Sequence, residues 1–571
     1  MPSDRPWTAH YDQGVPANIE YPKKPLFHFL EESARKYPNR ACTIFQGAVI
    51  SYRQMNEITD RVAAALAGLG VKKGDRVGIF MPNTPQFVMA YFGILKAGAV
   101  VVATNPLYTA PEIAYQAGDA GVEIMFVMAG LYRKIKTAQP GTKIRQLIVT
   151  GMEEALPPLG RMLFSLTRDS KSDPRPPGRL QDGDVWMKNL IASYVAAQRP
   201  KLDLQPEDTV LFQYSGGTTG VSKGAVASHS GAVANTIQLR TWLVTAEQGK
   251  ERVLMCIPMF HAYGMIVGMC LGMSLGASLI VVPNPRDIPG ILRAIDKYRP
   301  SIFPGVPTLF TAINNHPDVV RGKVDLRSIK TCISGSTPLL RETKEVFESL
   351  SGARLFEGYG LSEAPVATHL NPFLGPNKTG SIGMPLPDVE CKVISLDDGE
   401  TGVPQGEIGE LVIRAPQVMK GYHNMPTETA ISLRTLSDGR TWLFTGDIGR
   451  MDEDGYFYIV DRKKELIKPA GFQVWPREVE EVIAANPKVL EVGVAGIPDP
   501  YRGETVKAWI VLKPGQQLTP EELKGWCKDR LAPYKVPTHY EFRTELPKTT
   551  VGKILRRELL RQHKELEASR P

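Results

Sequence analysis

The chain has 571 residues, 43% of them hydrophobic and 22% charged, a balance that suits a large globular core divided among more than one domain. Its formal net charge of +8 is spread too thinly for a nucleic-acid binder and suits small anionic ligands or an anionic membrane surface. Six cysteines stand far apart with no CxxC pair, which argues against a disulfide scaffold or a zinc site and for a reducing, cytoplasmic compartment.

The stretch MPSDRPWTAHYDQGVPANIEYPKK has no apolar core, so no secretory signal is expected, and EASRP carries no peroxisomal or prenylation address. From about residue 40 the pattern alternates. RVGIFMP reads as a strand before a helix over TPQFVMAYFGILKAG, VVVAT precedes a helix over APEIAYQAGDAG, and VEIMFVM is the next strand. Such alternation predicts a parallel sheet covered by helices. The pattern breaks over 152–185. There prolines, the apolar cluster RMLFSLTR and the basic residues Arg161, Arg168, Lys171, Arg175 and Arg179 read as a surface excursion suited to an anionic membrane.

The strand TVLFQYS then runs into SGGTTGVSKGA, residues 215–225, with four glycines, two threonines, two serines and one lysine. SHSGAVANTIQL after it is helix-like. A glycine loop between strand and helix can surround phosphate oxygens with backbone N–H groups, with hydroxyls and Lys223 adding donors and charge. Taken alone, such a run is more often a structural turn. It is not a Walker A loop: Gly224 follows Lys223 where that motif needs a Ser or Thr for magnesium, which excludes a P-loop kinase. MIVGMCLGMSLGASLIVVP (265–283) is uncharged over a membrane-spanning length. Glycines at 264, 268, 272 and 276, followed by SLIVV, instead predict a buried helix, a turn and a short core strand.

LFEGYGLSEA (355–364) presents Tyr359, Ser362 and Glu363 within five residues, an aromatic for an adenine face, a hydroxyl for a phosphate oxygen and a carboxylate for Mg²⁺. LFTGDIG puts Asp447 on a glycine-flanked turn, able to accept both ribose hydroxyls. Tyr359 also has a plain reading as core, Glu363 as surface and Asp447 as a turn former. DEDGYFYIVDRKKELIK reads as a hairpin strand ending in a charged cluster, and places a boundary between domains at 1–461 and 462–571. Beyond it WPREVEEVIAANP, VGVAGIP, VKAWIVL and TPEELKGWCKDRLAPYKVP read helix, strand, strand, helix. Thr519, Pro520 and Glu522 form an N-cap, a first-turn proline and a capping-box acid. This last segment is basic, with 21 Lys and Arg against 15 Asp and Glu.

In order along the chain, YSGGTTGVSKGA, PMFHAYG, EGYGLSEA, FTGDIG, VDRKKELIKPAGFQVWP and LPKTTVGKILRREL resemble the adenylate-forming superfamily of acyl-CoA synthetases, aryl-CoA ligases, luciferases and peptide-synthetase adenylation domains. The resemblance implies an α/β fold, with a large multi-subdomain N-terminal part of helix-covered sheets and a small, mobile α+β C-terminal domain. It implies activation of a carboxylate by ATP to an acyl-AMP, then transfer to a thiol, usually CoA. By resemblance, Ser215, Gly216, Gly217, Thr218, Thr219, Gly220 and Lys223 hold the β- and γ-phosphates. Gly335, Ser336, Tyr359, Gly360 and Ser362 hold the rest of the nucleotide, Tyr359 on adenine and Ser362 at the α-phosphate. Glu363 binds Mg²⁺, and Asp447 the ribose with Arg462 nearby. Lys553 neutralises the charge that develops between carboxylate and α-phosphate.

The same resemblance makes Lys464 the hinge of a rotating C-terminal domain, with Lys468, Gly471 and Gln473 on the motif that enters the site. His261 stands where amino-acid-activating relatives carry an aspartate, so an α-amino acid is not expected, because a buried ammonium needs a partner. Tyr263, Gly264, Met265, Gly268, Val306 and Gly358 are implied for the acyl pocket. The glycine stripe at 264, 268 and 272 either leaves room for a flexible chain or packs its helix tightly against a strand; both readings stand here. VVATNPLYTAPEIAYQ and the 152–185 region resemble bacterial long-chain fatty-acid–CoA ligases, which makes a medium- to long-chain fatty acid the expected substrate, although some of those enzymes place a tryptophan gate where this chain has Met265. PMFHAYG and AGFQVWP also resemble 4-coumarate–CoA ligases, so an aryl acid is the alternative. A non-catalytic relative would be expected to lose Lys553, Glu363 or the loop glycines, and all are present. Peripheral contact with the inner face of a membrane and a homodimer complete the expectations.

Overall fold

The computed structural model describes residues 5–158, 160–162, 180–181, 183–216, 222–549 and 552–568. The chain divides into two compact units, Met1–Glu390 with Arg414–Leu433, and Cys391–Ile413 with Arg434–Pro571. The expected 462–571 segment therefore shares its unit with residues 391–413 and 434–461.

Two sheets organise the first unit. In one, the parallel strands Gln146–Thr150, Ile124–Met128, Arg76–Phe80, Val100–Ala103 and Thr209–Gly216 lie side by side in that order. VVVA and IMFVM are buried along their whole length, the mark of strands covered on both faces. The helix Pro85–Lys96 buries eleven of its twelve residues, which is why its sequence is apolar all round. Thr84 caps its first turn, and Gly121, at φ +66°, ends the helix Ala110–Ala120 in the left-handed conformation. The alternation read from the sequence is thus the parallel sheet that was expected.

The second sheet places Arg354–Gly360, Thr331–Ser334, Ile302–Gly305, Arg252–Met255, Ser278–Val281 and Ala41–Phe45 side by side, all parallel. Residues 263–281 form a helix, a Gly276 turn and the buried strand Ser278–Val281, as expected, but Tyr263–Cys270 is wound as a π-helix before it tightens at Leu271–Ser274. Among the described residues no helix is long and apolar enough to cross a membrane. Most of the 152–185 excursion, including the RMLFSLTR cluster from Leu163 on, lies outside the described residues.

In the second unit the long strand Thr441–Met451 pairs antiparallel with Phe457–Arg462, the hairpin read from DEDGYFYIVDR. Beyond it come the helix Pro476–Ala484, the antiparallel strands Val489–Asp499 and Gly503–Leu512, and the helix Pro520–Lys528, opened by the Thr519–Glu522 capping box. A third strand, His539–Arg543, pairs parallel to Gly503–Leu512 and closes this small α+β layer. All six cysteines are free and buried.

Candidate active site

In an open parallel sheet the loops leaving the carboxyl ends of the strands collect on one edge, and ligands bind there. Four neighbouring strands deliver the expected residues to that edge. Arg252–Met255 leads to His261 and Tyr263, Ile302–Gly305 to Val306, Thr331–Ser334 to Gly335 and Ser336, and Arg354–Gly360 ends in Gly358, Tyr359 and Gly360. The Tyr263 hydroxyl lies 2.7 Å from the Ile333 carbonyl and 3.1 Å from that of Gly305, across two of these strand ends. Ser336 holds φ at +75°, a left-handed conformation unusual for serine, and its side chain is exposed at the edge.

His261 is half-buried, and the Tyr263 N–H points at its Nδ1 at 3.3 Å. Burial lowers its pKa to about 4, so the ring is neutral at physiological pH, and it has no carboxylate partner among the described residues. Asn83, at the end of the first sheet, ties this segment down. Its Nδ2 donates to the carbonyls of Met255 and Ile257, and its Oδ1 accepts from the Met259 N–H at 2.7 Å.

The glycines of the 263–274 helix stand in close contact with their surroundings. A Cβ at Gly264 would fall 2.1 Å from the Pro258 carbonyl oxygen, one at Gly268 2.5 Å from Met255 Sδ, and one at Gly272 2.5 Å from Leu279. These glycines let the helix lie against the strand below it. Met265, Met269 and Met273 are buried.

Tyr359 is half-buried, with its ring edge-on to His369 at 5.7 Å. Past Gly360 the chain makes a tight loop over Ser362 and Glu363, closed by the Leu361 N–H to the Val366 carbonyl at 3.0 Å. There is no room for a side chain at its start, since a Cβ on Gly360 would meet the Val366 carbonyl oxygen at 1.4 Å. A buried amide group that the sequence reading missed secures the far end. Asn235 Oδ1 accepts from the N–H groups of Val366 and Ala367 at 2.8 and 3.1 Å, and its Nδ2 donates to the Ala367 carbonyl at 2.6 Å. Gln417 donates to the same carbonyl at 3.2 Å.

The glycine loop differs from the reading in its context. Thr209–Gly216 is answered by an antiparallel strand, Ser222–Ser228, and only then does the helix His229–Trp242 begin. The loop residues therefore connect two antiparallel strands, and the helix begins only after the second of them. Gly217, Thr218, Thr219 and Gly220 lie outside the described residues, as does the side chain of Ser215. Lys223 sits on the return strand and is ion-paired with Glu428. The Glu363 carboxylate accepts from the Tyr422 hydroxyl at 2.7 Å, and its Oε2 has no hydrogen-bond partner among the described residues.

Within the second unit, Asp447 and Arg462 face each other across the hairpin, with Arg462 Nε 2.6 Å from Asp447 Oδ1. Lys464, Lys468 and Gln473 are exposed, the last two on a loop pinned by the Ile467–Val474 bridge and turned at Ala470 (φ +50°) and Gly471 (φ +85°). Lys553 stands at the foot of another loop, its N–H donating to Thr549 Oγ1 at 3.1 Å and its carbonyl accepting from the Thr549 N–H at 2.8 Å. Its side chain reaches the surface, yet the surrounding protein, followed by the Arg462 charge, lowers its pKa against the pull of Asp447, Asp461 and Glu480. Three residues on, Arg556 grips Glu480 through two nitrogens at 3.0 and 2.7 Å and Asp461 at 3.1 Å, anchoring the segment to the helix Pro476–Ala484.

A glycine hairpin and four strand ends that present an aromatic ring, a hydroxyl and a carboxylate define the framework of a nucleotide-using enzyme. The AMP-binding enzyme model matches residues 30–423, and the AMP-binding enzyme C-terminal domain model matches 478–553. The chain belongs to the AMP-binding enzyme family. It is 43% identical over 568 residues to a long-chain-fatty-acid–CoA ligase of Bacillus subtilis (strain 168), covering 99% of both chains. It is 37% identical over 559 residues to a long-chain-fatty-acid–CoA ligase of Yersinia pestis, covering 97% of this chain and 98% of that one. Its fold resembles that of ATP-bound MatB from Rhodopseudomonas palustris, with a TM-score of 0.82 at 27% identity over 95% of this chain and 100% of the other.

Proposed function

We propose that this chain is a medium- to long-chain fatty-acid–CoA ligase. Similarity over nearly the whole length to ligases of that name carries the reading, and the strand-end residues at the sheet edge support it. In the first step an oxygen of the fatty-acid carboxylate attacks the α-phosphorus of ATP. The bond to the β-phosphate oxygen breaks, pyrophosphate leaves and acyl-AMP remains. In the second, the CoA thiolate attacks the acyl carbon and AMP departs with the electrons of the anhydride bond.

Residue roles follow from chemistry and position. The 215–223 stretch offers backbone N–H groups and hydroxyls to the β- and γ-phosphates, and Lys223 exchanges its Glu428 partner for phosphate oxygens. Tyr359 offers its ring to adenine and Ser362 its hydroxyl to the α-phosphate. Asp447, oriented by Arg462, accepts from the ribose hydroxyls. Lys553 offsets charge as carboxylate and α-phosphate approach, an electrostatic role that needs no covalent intermediate on the enzyme. Neutral His261 brings no charge to the carboxylate-binding edge, which suits an apolar acyl chain and not an α-amino acid.

Among the described residues no group of three metal-ligating side chains exists, and Glu363 offers a single carboxylate. That fits Mg²⁺ arriving on ATP, which takes one or two protein carboxylates, water and phosphate oxygens. The bound ion would draw charge from the phosphates. In this reading the enzyme works in the cytoplasm, with peripheral contact at the inner face of the membrane where long-chain acids partition.

The test is pyrophosphate release with ATP and Mg²⁺ across C2 to C18 fatty acids and cinnamates, with and without CoA. CoA-dependent turnover that peaks between C12 and C18 is expected. A peak with coumarate would replace the fatty acid by an aryl acid, and no turnover with any of these acids would overturn the reading.

A further inference from the structure

The segment Met419–Glu428 carries none of the motifs that drew attention to the site, yet it touches two parts of it. The Val226 carbonyl accepts from the Lys420 N–H and the Gly421 carbonyl from the Val226 N–H, both at 2.9 Å, while the His423 N–H donates to the Gly224 carbonyl at 2.8 Å. The segment thus runs as an added strand along the return arm of the glycine hairpin, with Tyr422 opposite Ala225. On its other side the Met419 N–H donates to the Glu363 carbonyl at 2.7 Å, and the Tyr422 hydroxyl donates to Glu363 Oε1 at 2.7 Å. Thr429 Oγ1 accepts from the Tyr422 N–H at 2.9 Å, and Lys223 Nζ lies 5.4 Å from the centre of the Tyr422 ring.

We propose that Tyr422 is a positioning residue for nucleotide binding: its hydroxyl holds one oxygen of Glu363 so that the other faces the magnesium carried on ATP, at a fixed distance from the phosphate hairpin. The inference rests on reading Glu363 as a magnesium ligand. A carboxylate has two equivalent oxygens and turns readily about its last torsion. A neutral donor on one oxygen fixes the plane without cancelling the charge, whereas Lys or Arg in its place would compete with the cation. A phenol is protonated at physiological pH and so remains a donor there. Because its backbone pairs with the hairpin, the same residue ties the metal-facing carboxylate to the loop that grips the phosphates.

Tyr422→Phe keeps the ring and removes the hydroxyl. Calorimetric titration of the full chain with ATP, in Mg²⁺ and in EDTA, separates the outcomes when Glu363→Gln is run alongside. Tyr422→Phe is expected to weaken MgATP binding about tenfold, the loss of one charge-assisted hydrogen bond, and to leave metal-free ATP binding, fatty-acid KM and Tm unchanged. Glu363→Gln is expected to show the same selectivity more strongly. If Glu363→Gln is selective and Tyr422→Phe is either silent or weakens both forms equally, the positioning role is overturned while the metal reading stands. If Glu363→Gln itself shows no selectivity for the magnesium form, the metal reading falls and takes this inference with it.

Discussion

His229, His261 and His369 are held as neutral rings, each by burial, with pKa values lowered to about 4, about 4 and about 3. His229 shows why: it is 2% exposed, and its Nδ1 accepts the Leu26 N–H at 3.1 Å, a bond that protonation would forbid. The unfolded chain takes up these protons near pH 6.5 and the folded chain does not. The stabilisation is therefore complete above pH 6.5 and is lost as pH falls toward 4. His229 alone is worth about 3 kcal/mol over that window. Tm measured from pH 7 to pH 4.5 is expected to fall steadily, and His229→Gln to flatten the slope. The sequence exposes Tyr359, Ser362 and Glu363 because their residue types lie within five positions of one another. Asn235 and Tyr422 are silent in it, since what they bond stands 131 and 59 positions away.

At the scale of elements, the same glycine stripe can be read as an open channel or as close packing, and only the partner surface decides. Gly264 faces a backbone carbonyl that cannot retreat, whereas Gly268 faces the flexible end of Met255. Gly264→Ala is expected to cost about 3 kcal/mol, and Gly268→Ala about 1 kcal/mol or less once methionine shifts and helix propensity is gained. Chemical denaturation of the two variants checks the order, and equal losses would mean that the helix moves as a whole. The return strand Ser222–Ser228 escaped the sequence reading for a related reason. SKGAVAS is small and polar, with neither β-branched enrichment nor clean alternation, and it is extended because Thr209–Gly216 and the Met419–Glu428 segment pair along it. By contrast, the helices Pro85–Lys96 and Pro520–Lys528 were legible from end to end, because their caps and prolines are local.

Across the whole molecule, Lys553 belongs to one compact unit and the glycine hairpin with Glu363 to the other. Replacing the lysine therefore leaves the folding of the hairpin unit untouched and tests the lysine's chemistry by itself. Lys553→Ala is expected to reduce adenylation from free acid and ATP at least ~100-fold while sparing CoA transfer to supplied acyl-AMP. Equal loss of both half-reactions would remove Lys553 from the adenylation role and with it the rotating-domain scheme.

The α/β class, the six ordered motifs and the placement of caps and turns were determined by the sequence alone, because periodicity, capping and short motifs act over a few residues. Tertiary structure decided the rest. It paired the strands on either side of the glycine loop antiparallel, wound Tyr263–Cys270 as a π-helix, and joined residues 391–413 and 434–461 to the C-terminal unit. It also gathered Asn235, Gln417 and Tyr422 around the Ser362–Glu363 loop. Each of these depends on hydrogen bonds and packing between segments far apart in the chain, where buried polar groups must find partners and no local pattern records which ones they find.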